Sequence, residues 1–184
     1  MKKISTCIIL LLIIGCKKPN QLDNSNIFLA TKFIDTFYSF NQDSLKLILS
    51  SAQESQPNIL YYQKWAECGN YKIIKRDEWF AKNDSVVIFP VTVNDDLMAA
   101  LKIDFNVTDT FHITMRNDKI TSVQTTSNDL DEYYQAKEWV NKNHPELVSK
   151  ACEGIWEGGP TPCECVKGMV AGFAQFAIEM QTDL

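Results

Sequence analysis

Phe105-Asn106-Val107-Thr108-Asp109-Thr110-Phe111-His112-Ile113-Thr114-Met115 alternates apolar and polar side chains almost residue by residue. A period of two puts successive side chains on opposite faces of a strand. Phe111, Ile113 and Met115 share one phase, while Thr110, His112 and Thr114 share the other. Asn117-Asp118 then supplies a tight turn into the β-prone run Lys119–Thr126. The two runs therefore predict an antiparallel hairpin.

Upstream, Val86 to Val93 is strongly β-prone but interrupted by Pro90, which points to a bulge or an edge position because proline lacks the ladder donor. Tyr71 to Lys82 alternates loosely and ends at the turn Asn83-Asp84-Ser85. Before these strands the period is helical. Ile27, Ala30, Phe33 (or Ile34) and Phe37 form one stripe, widened by Phe28 and Phe40. Asp43 is placed to cap a second short helix running to Ser51, and Pro57 to open a third that carries Tyr61, Tyr62 and Trp65 toward Gly69. Leu97 to Leu101 reads as a short helix between strands.

Helical spacing returns at Leu130 with Tyr133, Ala136 and Val140, and ends at Asn143-His144-Pro145. A short helix over Leu147–Cys152 follows. Beyond the loop Gly158-Gly159-Pro160-Thr161-Pro162 comes a last helix with Val166, Met169, Val170, Phe173, Ala177 and Met180 in register and Phe176 beside them. Gly168 and Gly172 on that helix permit close packing. Helices, a meander of strands and then helices again define an α+β chain.

With 184 residues and 45% hydrophobic composition the chain suits one folded domain and not global disorder. Its net charge of −5 argues against nucleic acid as a partner, since a phosphate backbone needs a basic face. Two histidines, His112 and His144, exclude a metal site of three imidazoles. Neither a metal nor another cofactor is expected.

The first residues supply an address. Lys2 and Lys3 precede a twelve-residue, largely apolar run from Ile4 to Gly15. That run is too short to span a bilayer, which takes ~20 residues, and suits a signal peptide. Ile13-Ile14-Gly15-Cys16 resembles a bacterial lipobox, which implies lipidation of Cys16 and removal of residues 1–15. Losing Lys2 and Lys3 takes the net charge from −5 to −7. Residues 16–26 read as a tether, with Lys17 and Lys18 beside the lipid. The expected location is the bacterial cell envelope, lipid-anchored to the outer membrane and facing periplasm or surface.

Cys7 leaves with the signal and Cys16 takes lipid, so Cys68, Cys152, Cys163 and Cys165 remain. An even count outside the cytoplasm favours disulfides. Cys163 and Cys165 are one residue apart, a strained spacing for bonding to each other. Cys152–Cys165 with Cys68–Cys163 is the preferred pairing, and the swapped arrangement stays open. Zinc sites usually present paired ligands at wider spacing than Cys163-Glu164-Cys165.

Three helices before an antiparallel meander resemble the nuclear transport factor 2-like fold. Phe33-Ile34-Asp35, Phe40-Asn41-Gln42-Asp43 and Leu47 resemble the opening of SnoaL-like domains. Val91-Thr92-Val93-Asn94-Asp95-Asp96, Thr110-Phe111-His112-Ile113, Asp118-Lys119-Ile120 and Trp139-Val140 to Pro145-Glu146 resemble their strands and following helix. The resemblance covers residues 27–147, leaving 148–184 as a cysteine-containing helical extension. It implies N-terminal helices packed on a curved, conical antiparallel sheet around a pocket. Catalytic members, the polyketide cyclases and ketosteroid isomerase, place an Asp or His there. The cyclase position falls near Thr125, and a threonine cannot serve as a base at neutral pH.

The remaining acid–base candidates are His112 and Asp109. Asp109 shares the inward phase of Phe111, although Thr108-Asp109 also reads as the start of the strand. Tyr61, Tyr62, Trp65, Trp79, Phe89 and Phe111 are candidates for lining a pocket. These residues favour a non-catalytic envelope lipoprotein that holds a small apolar molecule or a partner. An isomerase, cyclase or hydrolase using His112 or Asp109 is the alternative, and a homodimerising structural module is the third.

Overall fold

The computed structural model describes residues 24–154 and 163–182. The signal segment, Cys16 and the loop Gly158–Pro162 lie outside the described residues. The first helix, α1 (Asn24–Tyr38), takes in the last three residues assigned to the tether. It turns Ala30, Phe33, Ile34 and Phe37 inward, as three- and four-residue spacing dictates. Phe28, expected on that stripe, stands 70% exposed on the outward side. One residue beyond Ile27, it is rotated about 100° around the helix.

Helix α2 (Gln42–Ile48) is capped by Asn41 and not by Asp43: the Asn41 side-chain oxygen accepts from the Ser44 amide at 2.9 Å. Asp43 sits in the first turn, where its charge suits the helix dipole. Helix α3 (Gln56–Cys68) carries Pro57 in its first turn, where a missing N–H costs nothing.

Five strands form an open antiparallel sheet: β1 (Lys72–Arg76), β2 (Phe80–Asn83), β3 (Val86–Asn94), β4 (Val107–Arg116) and β5 (Lys119–Ser127). The order is β1-β3-β4-β5, and β2 pairs with β3 on the side that β1 also uses. Pro90 therefore lies in a central strand, not at an edge. β2 pairs with Val86–Ile88 and β1 with Val91–Asn94, so Pro90 falls in the gap between them. Its carbonyl accepts from the Asp77 amide across that gap at 3.1 Å, so its absent N–H faces a place where no ladder runs. The β4–β5 hairpin turns on Asn117 and Asp118, both in left-handed backbone with φ 50° and 57°.

Helix α4 (Asp96–Ala100) interrupts the meander, and α5 (Asp131–Asn143), α6 (Pro145–Val148) and α7 (Cys163–Thr182) follow it. The short helix expected over Leu147–Cys152 thus starts earlier, at Pro145. α7 packs against α3, α4, α5 and α6, and its Val166 and Phe173 share one core with Phe33, Phe37 and Phe111. Within residues 148–182, Val148, Cys165, Val166, Met169, Phe173 and Phe176 join that core. Met180, expected on the α7 stripe, is exposed.

Cys68–Cys163 joins the end of α3 to the start of α7, and Cys152–Cys165 ties the segment after α6 to the same turn. This is the preferred pairing. No described helix is long and apolar enough to cross a membrane.

Candidate functional site

Strand β4 buries every second residue from Val107 to Met115, so Asp109 points into the core with Phe111 and Ile113. The strand starts two residues before Asp109, and its phase, not its place near the end, decides the side chain's direction. Only 1% of Asp109 is exposed. Phe111 beside it lies in a cluster with Phe33, Phe37, Tyr38 and Tyr62, at centroid distances of 5.0 to 6.4 Å.

Two phenols converge on the Asp109 carboxyl. The Tyr38 hydroxyl donates to Oδ2 at 3.1 Å, and the Tyr62 hydroxyl interacts with the same group. Tyr38 ends α1, and Gln63 of α3 fixes that end by donating its side-chain amide to the Phe37 carbonyl at 2.9 Å and the Thr36 carbonyl at 3.2 Å. Those are carbonyls an α-helix leaves without partners at its last turn. One buried glutamine thus aligns α1 with α3, and with them the two phenols. Arg76 pairs with Asp35 of α1 at 2.6 Å, and its charge offsets a little of the rise that burial imposes on Tyr38.

Burial is the main force that pushes Asp109 up to about 6. The donors Tyr62 and Tyr38 pull it down, and the carboxylates Asp129 and Asp95 raise it further. Among the described residues Asp109 has no salt bridge. Asp95 is also pushed up to about 6 by burial, against the pull of the Met98 and Leu97 amides that it caps at the start of α4. Burial raises Tyr38, Tyr62, Tyr71 and Tyr133, and Asp109 or Asp95 adds to each. The interior therefore carries a line of phenols and carboxyls from α1 to α5.

A raised carboxyl binds its proton more tightly in the folded chain than at the 3.8 of the unfolded one. Its stabilising contribution is complete below 3.8 and is lost as the pH rises through about 6. Asp109 and Asp95 together should make the protein roughly 2–3 kcal/mol more stable at pH 5 than at pH 7.5. Urea unfolding at the two values checks this, and Asp109→Asn should remove about half of the difference.

The other sequence candidates divide. His112 lies on the opposite face of β4, half-buried, with Nε2 3.4 Å from the Thr126 hydroxyl, so it does not meet Asp109. Tyr61, Trp65, Phe89 and Phe111 are buried, while Tyr62 and Trp79 are partly buried against the same core. Tyr62 and Phe111 come together at the carboxyl. Thr125 of β5 pairs with Phe111 across the ladder. Tyr38, Gln63, Tyr71, Asp95 and Tyr133 were not among the sequence candidates. An aromatic with a polar tip just past the Phe33–Phe37 stripe was the one signal for Tyr38. An Asp-x-x-Met cap was the signal for Asp95.

A surface recess lined by Asn26, Asp84, Ser85, Met115, Arg116 and Asp118 lies at the far end of β4, six residues or roughly 20 Å from Asp109. Among the described residues no group of His, Cys, Asp and Glu is arranged to hold a metal ion. Compared with known proteins, the chain matches no family model, no curated protein and no solved structure.

Proposed function

We propose that the chain is an envelope lipoprotein, anchored through Cys16, whose SnoaL-like domain binds a small, largely apolar molecule carrying a carbonyl or hydroxyl group. Asp109 is the polar recognition group. The observation that carries this reading is a carboxyl buried to 1% exposure that, among the described residues, has phenols and no cation as its side-chain partners. Burying a carboxyl costs several kcal/mol unless it is paired, and an amide would serve a purely structural bond to Tyr38 at lower cost. Perturbed carboxyls of this kind concentrate at functional sites. Tyr38 and Tyr62 close over the carboxyl, so a ligand gains Asp109 only by displacing one of the two phenols. The helix–meander–helix order and the aromatic inner face support the nuclear transport factor 2-like reading. The two disulfides support a compartment outside the cytoplasm.

Thermal-shift screening of apolar carbonyl and hydroxyl compounds tests this. A ligand at ~100 times its Kd should add ~2.7 kcal/mol. The gain is expected to fall in Asp109→Asn and Tyr38→Phe but not in His112→Gln. A ligand whose effect ignores both Asp109 and Tyr38 would contradict the assignment.

The value of about 6 also favours a second reading, proton transfer by Asp109, because a general base works best near the ambient pH. Turnover of a ligand found in the screen, dropping ~10²–10⁴-fold in Asp109→Asn, would establish it.

A further inference from the structure

The structure gathers three things at one end of the domain: the start of α1, the β2–β3 turn and the β4–β5 turn. Asn26, Asp84 and Asp118 line one recess there, and the Ser25 hydroxyl donates to the Asp118 carboxylate at 3.2 Å. Seven residues, Lys17 to Asp23, separate Cys16 from α1. Such a segment spans at most about 25 Å when fully extended. A lipid on Cys16 therefore holds this end, and not the opposite one, near the bilayer.

The charges follow the same axis. The two turns at this end carry Lys82, Arg116 and Lys119 against Asp84 and Asp118, all exposed. At the opposite end the β3–β4 connection and the β5–α5 link carry Asp95, Asp96, Asp104, Asp129, Asp131 and Glu132 against Lys102. The two turns at the first end thus carry one more cation than anions, in a chain that is acidic as a whole. Phe28 completes the set: it lies one turn into α1 and is 70% exposed on the outward side of the helix, with Lys32 exposed one turn further on.

We infer that this end of the domain docks on a bilayer surface bearing anionic headgroups, with Phe28 in the interfacial layer and the acidic end turned away. The segment after the lipid, with Lys17 and Lys18 against Asp23, adds one further net positive charge. An aromatic at the headgroup boundary and cations within a Debye length of it are the recognised elements of such contact. The inference rests on the Cys16 anchor proposed above.

The test uses the full lipidated chain in vesicles with brominated acyl chains. The added emission of Phe28→Trp, relative to the unaltered chain, reports residue 28. Quenching of that emission in anionic vesicles, lost in K82E/R116E/K119E with an unchanged circular-dichroism spectrum and in high salt, supports docking. Absence of quenching in the lipidated chain overturns docking while leaving the anchor intact. Quenching that is equal in zwitterionic vesicles and in the triple variant overturns the electrostatic contact. Intact mass reads the anchor separately: a chain recovered without lipid overturns the anchor and this inference with it.

Discussion

Replacing Cys68 and Cys163 together by alanine is expected to lower the unfolding free energy by about 4–5 kcal/mol. The bond closes a loop of 95 residues, and the entropy removed from the unfolded chain grows with the logarithm of loop length. Cys152 and Cys165, 13 residues apart, should cost about 3 kcal/mol when replaced the same way. The order of the two losses is the useful result, because both bonds end on the first turn of α7 and disturb the same packing. Urea unfolding of the two double variants measures it. A larger loss for the short loop would mean that local packing at α7, and not chain entropy, sets the contribution.

Gly168→Ala should cost about 3 kcal/mol or more, against the ~1 kcal/mol that alanine ordinarily gains over glycine inside a helix. A Cβ there would stand 2.1 Å from the Leu147 carbonyl oxygen, which is backbone and cannot swing aside. At Gly172 the obstacle is the Val140 side chain, at 2.4 Å, so Gly172→Ala combined with Val140→Ala should recover part of its own loss. Thermal unfolding of the three variants checks both statements. A neutral Gly168→Ala would mean that α6 and α7 are not in contact at this point.

The hairpin of β4 and β5 was legible because alternation is a strong signal, and the turn at Asn117-Asp118 sets the pairs Arg116–Lys119 and Met115–Ile120. A one-residue shift at Thr121, which the sequence did not announce, then places Phe111 against Thr125 and Ile113 against Val123. The α+β order and the cysteine pairing were legible for similarly local reasons. Three local readings failed where tertiary context outweighs sequence. Pro90 is tolerated centrally because β1 and β2 leave a gap opposite it, a fact about the partners and not about the proline. Phe28 reads as core by composition, yet no described element covers its side of α1 enough to bury it. Asn41 takes the α2 cap that Asp43 could have taken, which shifts the helix start by a residue or two.

The candidate site was half legible. The phase of Asp109 gave its inward direction, and Phe111 and Tyr62 were marked as lining residues. Tyr38 was not, because its distance in sequence from Asp109 is 71 residues and no periodicity links a helix end to a strand. Gln63, which fixes the end of α1, carries no sequence signal either: a glutamine between Tyr62 and Lys64 reads as a solvated helix position until α1 is packed against it. His112, the more conspicuous residue, stands on the other face of the sheet for the same reason that Asp109 stands inside.

Asp109, a buried carboxyl that no cation among the described residues compensates, is the centre of the proposed function. Carbon-detected NMR titration of side-chain carboxyls, with the Asp109 resonance assigned by its loss in Asp109→Asn, measures this directly. The expected midpoint is about 6. A midpoint at or below 3.8, the value of an ordinary aspartate, would contradict it and would make Asp109 a solvated or fully compensated group.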